Sequence, residues 1–248
     1  MIPASVKSVV KSIVPKPALI WARNLMLRSK IGHFEKMDSN EQIFDHVYSD
    51  LIWKEGTDTR SASGDGSDGL WLDESVKHIE QTVLSEKQTV LEIGCGDFNF
   101  GSKIAHLASE YKAGDVSGKV IGQNKERYKD LSNVEFMQLD ATKDELPKAD
   151  VVIIRQVLQH LPNAMIQDIL SNVDKIGPKK MIVFEDVPSD DFEPNHDLRT
   201  AGPYTRHLTH SGVDLAKDPF NRPFRKTKQW LHPRHPSVPA RLVCYELE

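Results

Sequence analysis

Residues 89–97 decide the fold, and they read TVLEIGCGD. The run from Thr89 to Ile93 is short and mostly apolar, and it predicts a buried strand. Gly94 and Gly96 follow at once. Glycines directly after a strand allow a tight turn and a close approach of the backbone to a ligand. A helix through Ile104 and Leu107 is expected next, which completes the first unit of an α/β domain.

The same alternation of strands and helices continues along the chain. Further strands are predicted at residues 111–116, 134–139, 150–154 and 181–184, with a helix from about Asn163 to Ile176 before the last of them. Parallel neighbours need a helical crossover, so the pattern predicts a Rossmann-like, doubly wound, mostly parallel sheet. Residues 241–247 alternate between apolar and polar side chains and predict an edge strand.

Acidic residues follow several of the predicted strands. In open α/β sheets a ligand binds at the carboxyl ends of the strands, near the point where strand order reverses. Asp115 lies 19 residues after Gly96, about where a carboxylate accepts hydrogen bonds from ribose hydroxyls. Asp140 ends the next strand. These positions predict a cofactor that contains adenosine.

Two details favour S-adenosylmethionine over a dinucleotide. Asn99 occupies the place where the dinucleotide fingerprint requires its third glycine. Glu92 lies on the strand two residues before Gly94, where an acid suits a cationic amino acid. S-adenosylmethionine carries an ammonium and a sulfonium and has no phosphate, so acidic neighbours suit it.

These motifs together resemble class I S-adenosylmethionine-dependent methyltransferases. Residues 90–96 are similar to the first motif of that family, Asp115 to its ribose-binding acid, Asp140-Ala141 to its adenine-binding position, and residues 150–156 to its fourth strand. The similarity covers roughly residues 50–248. The cofactor-binding residues that we predict are Glu92, Gly94, Cys95, Gly96, Asp97, Asp115, Val116, Asp140, Ala141 and Gln156, with Arg60, Ser61 and Gly64 from a loop.

A narrower resemblance concerns bacterial methyltransferases found among glycan-building enzymes. It rests on Trp53-x-x-Gly56, residues 63–67, 95–99 and 155–161, and on residues 195–197, 202 and 219–221. That group usually has Asp at the position of Gln156. The resemblance implies that the Gly- and Ser-rich loop at 53–69 is a lid over the cofactor.

His160 is the predicted catalytic residue. It follows the fourth strand by six residues, and a neutral imidazole there could take a proton from an acceptor hydroxyl. The alternative is a histidine that only packs or holds the cofactor. Rival bases are His207, His210, Glu185 and Asp186. The histidines lack the spacing of a metal site, so no metal is expected.

Composition excludes several classes of protein. The net charge of −4 gives no reason to expect nucleic-acid binding. Cys95 and Cys244 are the only cysteines, which argues against a disulfide framework or a cysteine-based zinc site and fits a cytoplasmic protein. No apolar run approaches the roughly 20 residues of a membrane-spanning helix.

Residues 1–30 differ from the rest because they carry six basic residues and no acidic one. Their apolar residues predict two short helical stretches, without the pattern of a signal peptide. Such a segment can pack on the domain or contact an anionic membrane surface at the inner face. We therefore predict a basic helical extension at 1–50 and a methyltransferase domain at 51–248.

The predicted function is methyl transfer from S-adenosylmethionine to a hydroxyl of a sugar, glycan or related small metabolite. Two alternatives stay open. One is N- or carboxyl-methylation of a small metabolite, and the other is a non-catalytic regulatory or scaffold protein that binds the cofactor. The sequence leaves the acceptor and the oligomeric state undetermined.

Overall fold

A computed structural model describes residue 25, residues 31–54, residue 63, and residues 69–82, 87–188, 191–232 and 240–247. The two predicted helical stretches at 1–30 and most of the predicted lid therefore lie outside the described residues. Within those ranges, no helix combines the length and apolar character needed to cross a membrane.

Seven strands form one sheet in the order β3-β2-β1-β4-β5-β7-β6. Pairs among β1 to β5 are parallel, whereas β7 runs antiparallel to both β5 and β6. The strands are β1 Thr89–Ile93, β2 Glu110–Asp115, β3 Val134–Gln138, β4 Val151–Arg155, β5 Lys180–Pro188, β6 Phe224–His232 and β7 Ala240–Leu247. The predicted Rossmann-like, mostly parallel sheet is confirmed.

Five α-helices accompany the sheet in the described ranges: α1 Asn40–Ser49, α2 Gly69–Thr82, α3 Gly101–Ile104, α4 Gly118–Arg127 and α5 Asn163–Ile176. The short α3 continues as a 3-10 turn over Ala105–Leu107. Another 3-10 turn, Leu158–His160, follows β4. The helix predicted for residues 163–176 is confirmed with the same bounds, and it ends at Gly177 in the left-handed conformation.

The position of β4 at the centre of the sheet explains why its first four residues are apolar. All five of its residues, VVIIR, are buried, because the strand lies between β1 and β5 and has both faces covered. The strand order reverses between β1 and β4, so the carboxyl ends of these two strands diverge around a crevice. The fold therefore places a binding site beside Gly94 and Gln156.

The carboxyl-terminal strand corrects one prediction. Residues 240–247 are not an edge strand, since β7 pairs with β5 on one side and with β6 on the other. The edge is β6, which the sequence analysis missed. Its sequence, FRKTKQWLH, is rich in basic residues, and lysines on an edge strand discourage pairing with another chain. These charged residues interrupt the alternation of apolar and polar side chains from which a strand is predicted.

Residues 34–49 pack as part of the domain. Phe34, Ile43, Phe44 and Val47 belong to the same buried cluster as residues of β1, β4 and β5. The boundary predicted after residue 50 therefore does not coincide with a break in packing. Ser39 begins α1, because its hydroxyl accepts a hydrogen bond from the Gln42 N–H at 3.2 Å.

Candidate active site

A cavity of about 310 Å³ opens at the carboxyl ends of the parallel strands. We call it the strand-end pocket. It is lined by the turn after β1 and by residues at or after the ends of β2, β3, β4 and β5. Helix α1, which precedes the sheet in the chain, also lines it. Its volume is at the lower end of the range of small-molecule sites.

The turn after β1 requires its two glycines. Gly94 and Gly96 have φ angles of 74° and 54°, in the left-handed region that side chains disfavour. A Cβ on Gly94 would lie 2.3 Å from the Val157 side chain, and one on Gly96 would lie 2.4 Å from Ser63 Oγ. The turn is thus packed tightly against its neighbours, and its backbone lines the pocket.

Asp115 is held at the end of β2 by backbone N–H groups. Its two oxygens accept hydrogen bonds from the N–H of Gly96 at 3.0 Å and of Ser117 at 2.9 Å. Burial raises the pKa of Asp115 to about 6, and these two hydrogen bonds oppose the rise. Each carboxylate oxygen keeps a lone pair for a ligand.

Asp140 follows β3 and is held by three groups. Its carboxylate accepts hydrogen bonds from Thr142 Oγ1 at 2.7 Å and from the Asn40 amide at 3.2 Å, and Lys143 Nζ lies 3.3 Å away. Asn40 opens α1, so this bond ties the helix to the end of β3. Ala141 lines the pocket next to Asp140.

Glu92 and Arg155 are buried ionisable residues that line the pocket. Tyr111 donates its phenolic hydrogen to Glu92 at 2.9 Å, and the Arg155 guanidinium lies 5.0 Å from the centre of the Phe100 ring. Burial raises the pKa of Glu92 to about 8, against the Tyr111 hydrogen bond and the positive charge of Arg155. Glu92 is therefore largely protonated at pH 7, and a cation bound beside it would favour its carboxylate form.

Aromatic side chains form one wall of the pocket. Phe44 and Tyr48 lie one helical turn apart on α1, and both pack against Trp53 with ring centroids 6.1 and 5.3 Å away. The Trp53 ring lies 5.3 Å from that of His160, and its indole N–H donates to the Pro203 carbonyl at 3.1 Å. All of them line the pocket.

His160 lies in the 3-10 turn between β4 and α5. It lines the pocket, yet only 9% of it is exposed. The pKa of His160 is lowered to about 4, mainly by burial; a hydrogen bond with the Gly202 backbone opposes this shift, and the charge of Arg206 adds to it. The imidazole is consequently neutral at pH 7 and is a weak base.

Two buried side chains, Glu185 and Arg206, hold this turn. Glu185 accepts hydrogen bonds from the N–H of Leu158 at 2.9 Å and of Gln159 at 3.0 Å. Arg206 is fully buried and donates to the carbonyls of Leu158 and His196 and to the Asn163 side chain. The backbone around His160 is therefore fixed from β5 and from the segment that carries Arg206.

Most predicted site residues meet in the strand-end pocket. They are Glu92, Gly94, Cys95, Gly96, Asp115, Val116, Asp140, Ala141, Gln156 and His160. Asp97 does not line it, because its carboxylate turns to Asn99. The predicted contacts Arg60, Ser61 and Gly64 lie outside the described residues. Among the rival bases, Asp186 lines the pocket and pairs with His207 at 3.6 Å.

The other two rivals point elsewhere. Glu185 is fully buried beneath the turn, and a ring nitrogen of His210 lies 2.9 Å from the Asp191 carbonyl. Neither residue lines the pocket. Among the described residues, no group of three or more metal-binding side chains gathers in a way that could hold an ion.

The contributions of α1 and of Arg155 to the pocket were not predicted from the sequence. Asn40, Phe44 and Tyr48 recur every four residues, a spacing that places them on one face of a helix. That spacing could have been detected in the sequence. The strands against which the helix packs could not, because they lie about 40 or more residues away in the chain.

Comparison with known proteins places this pocket in a recognised domain. Residues 91–176 match a family model described as a methyltransferase domain. That domain uses S-adenosylmethionine as its methyl donor. The matched segment runs from β1 to the end of α5 and contains the glycine turn, Asp115, Asp140 and His160.

Curated relatives share only part of the chain. An N-methyltransferase from Papaver somniferum is 31% identical over 94 residues, which cover 34% of this chain and 26% of that protein. A tetrahydroprotoberberine N-methyltransferase from Eschscholzia californica is 29% identical over 135 residues, or 46% and 37% of the two proteins. The matches thus span about a quarter to somewhat over a third of these relatives.

Solved structures extend the likeness to the whole fold. The N-methyltransferase NodS from Bradyrhizobium japonicum WM9, in complex with S-adenosylhomocysteine, superposes with a TM-score of 0.58 at 16% identity and covers 81% of this chain and 98% of its own. The [4+2]-cyclase SpnF gives 0.57 at 13% identity, with 84% and 95% covered. The fold is that of class I methyltransferases, and the cyclase demonstrates that this fold alone does not fix the reaction.

Proposed function

We propose that this chain is an S-adenosylmethionine-dependent methyltransferase that methylates an amine nitrogen of a small molecule. The observation that carries the proposal is the strand-end pocket, which joins the glycine turn and Asp115 to a neutral, weakly basic His160. The matched methyltransferase domain and the N-methyltransferases among its relatives support the same reading.

The residues present suit the methyl donor. Asp115 has lone pairs left for ribose hydroxyls, and Asp140 with Ala141 would hold the adenine. Arg155 would pair with the carboxylate of the methionine part, and the ammonium would favour the carboxylate form of Glu92. When bound, the donor supplies a methyl group already activated by its sulfonium. Aligning a nucleophile with that carbon can contribute about 7–11 kcal/mol to the rate.

The base strength of His160 separates nitrogen from oxygen acceptors. A hydroxyl becomes a good nucleophile only when a base takes its proton during the reaction, and a base with a pKa near 4 does this poorly at pH 7. A neutral amine already carries the attacking lone pair and can lose its proton after transfer. The pocket therefore favours the amine.

The surroundings of His160 also suit a cationic amine. Asp186 lines the pocket with a side chain that is 24% exposed, so a ligand can reach its carboxylate. Trp53 lies beside His160 on the aromatic wall, and an ammonium group near an indole face gains about 0.5–2 kcal/mol. Together they would attract the amine as its ammonium ion, which gives its proton to water before the lone pair attacks. The nitrogen–methyl bond then forms as the carbon–sulfur bond breaks and S-adenosylhomocysteine leaves.

The test compares amines with their matching alcohols. The full-length chain is incubated with methyl-labelled S-adenosylmethionine and pairs of compounds that differ only in an amino or hydroxyl group at one carbon. We expect label in the amines and formation of S-adenosylhomocysteine at the same rate. The Asp115→Ala variant serves as the control for uncatalysed methylation.

Two other outcomes would overturn the proposal. Label confined to the alcohols would establish that the acceptor is a hydroxyl group, as in methylation of a sugar or glycan. Tight cofactor binding without label in any pair would indicate a binding protein. The narrower resemblance to glycan-building enzymes stays a prediction.

A further inference from the structure

Gln159 is the neighbour of His160 and has both ends of its amide in use. Its side-chain oxygen accepts a hydrogen bond from the Asp186 N–H at 3.3 Å, and its side-chain nitrogen lies 3.4 Å from His160 Nε2. Its backbone N–H donates to Glu185. Gln159 is buried, with 6% of its surface exposed.

The Asp186 N–H determines the orientation of this amide. A backbone N–H can only donate, so the atom facing it must be the oxygen of Gln159. The opposite orientation would set the amide NH₂ against that N–H, with two donors facing each other. The NH₂ group must therefore point at His160.

An amide NH₂ can only donate, so the imidazole nitrogen that faces it must accept. In a neutral histidine one ring nitrogen carries the proton and the other accepts. Nε2 of His160 is then the unprotonated nitrogen, and the proton is on Nδ1. Nδ1 itself is buried.

From these contacts we infer that Gln159 is a positioning residue that holds His160 as the neutral Nδ1–H tautomer. A second proton on Nε2 would face the NH₂ group, so Gln159 also opposes the imidazolium form. His160 is then an uncharged wall of the site and does not remove the proton of the acceptor. This inference rests on the proposed function only for the identity of that acceptor.

The lowered pKa of His160 agrees with this assignment, and burial is its main cause. The consequence for a methyl donor is electrostatic. A sulfonium is a cation, and a protonated histidine beside it would weaken its binding by repulsion between like charges. Keeping the ring neutral removes that cost.

Nitrogen-15 NMR of histidine-labelled protein tests the inference without any acceptor. The two neutral tautomers give different patterns of two-bond nitrogen–proton correlations, and the His160 signal is identified by its loss in His160→Gln. We expect the Nδ1–H pattern in the unsubstituted protein between pH 6 and 8. The Nε2–H pattern, or an exchanging mixture, would overturn the inference.

A substitution then reverses the arrangement. In Gln159→Glu a carboxylate replaces the NH₂ group and can only accept, so we expect the proton to move to Nε2 and the pKa of His160 to rise by about 1–3. Gln159→Met should lose the preference for one tautomer. Gln167→Glu, on the exposed face of α5, is the matched control and should leave the His160 signal unchanged.

Each result has one meaning. An unchanged tautomer in a folded Gln159→Glu protein would overturn the role of Gln159. The measurement on the unsubstituted protein decides the tautomer even where a variant does not fold. A protein that has the expected tautomer but methylates no amine would refute the proposed function and leave this inference standing.

Discussion

Asp115 carries the first prediction at the scale of the residue. Its carboxylate form accepts hydrogen bonds from ribose, whereas the protonated form gives up part of that capacity. Because the pKa of Asp115 is raised to about 6, cofactor affinity should fall as the pH falls through 6. At pH 5 about a tenth of the groups are ionised, so the Kd should be several-fold to tenfold higher than at pH 7. Isothermal titration calorimetry at the two pH values measures this Kd.

The matched variant is Asp115→Asn, which cannot ionise. Its affinity should be roughly 10²-fold weaker, since two hydrogen bonds to a charged acceptor contribute about 1.5–3 kcal/mol each. The cofactor affinity of this variant should also vary less between pH 5 and 7 than that of the unsubstituted protein. Unchanged affinity in folded Asp115→Asn protein would contradict the ribose role.

The sequence placed Asp115, Asp140 and His160 in one pocket correctly, because strand ends in a parallel sheet meet at one edge. It did not predict the environment of His160. The tautomer depends on an amide at position 159 whose orientation is set by the backbone of Asp186, on another strand. Contacts between distant segments leave no periodic pattern in the sequence.

Arg206 provides the prediction at the scale of the element, because it holds the turn between β4 and α5. Replacing it with Met leaves the carbonyls of Leu158 and His196 and the Asn163 side chain without their donor. A buried polar group that loses its partner typically costs about 1–3 kcal/mol, so the loss of three such bonds should cost at least about 3 kcal/mol. We expect a decrease of that size in the free energy of unfolding, measured with urea.

Arg222 is the control because it makes a short ion pair with Asp174 on a partly exposed surface. Arg222→Met should cost less than about 1 kcal/mol. Arg206→Lys, which keeps the charge but not the planar group, should fall between the two. Equal costs at the two arginines would contradict the structural role of Arg206.

Strands and helices could be predicted where burial imposes a pattern on the sequence. β4 is buried on both faces, so it begins with four consecutive apolar residues. α5 is buried on one face, so its apolar residues recur every three to four positions. β6 has no such pattern, since Arg225, Lys226 and Lys228 dominate an edge strand. Its place beside β7 follows from the antiparallel pairing and not from its composition.

At the scale of the whole molecule, the basic segment 1–30 predicts contact with anionic membranes. Each lysine near such a surface contributes about 1 kcal/mol. Replacing Lys7, Lys11 and Lys16 with Gln in the full-length chain should weaken sedimentation with phosphatidylserine vesicles by about 10²-fold at low salt. Cofactor affinity should not change. If the unsubstituted chain ignores such vesicles, the segment packs on the domain instead.

Helix α1 has a consequence for how the two halves of the site communicate. Its polar residues contact the loops after β2 and β3, through Asp45 to Ser117 and through Asn40 to Asp140. Its aromatic residues contact Trp53, and Trp53 contacts His160. A cofactor that shifts the loop after β2 or the loop after β3 would therefore also shift the aromatic wall, which faces the methyl acceptor. The two binding equilibria become coupled, and linkage requires the effect to be reciprocal: by whatever factor one occupant tightens the second, the second tightens the first.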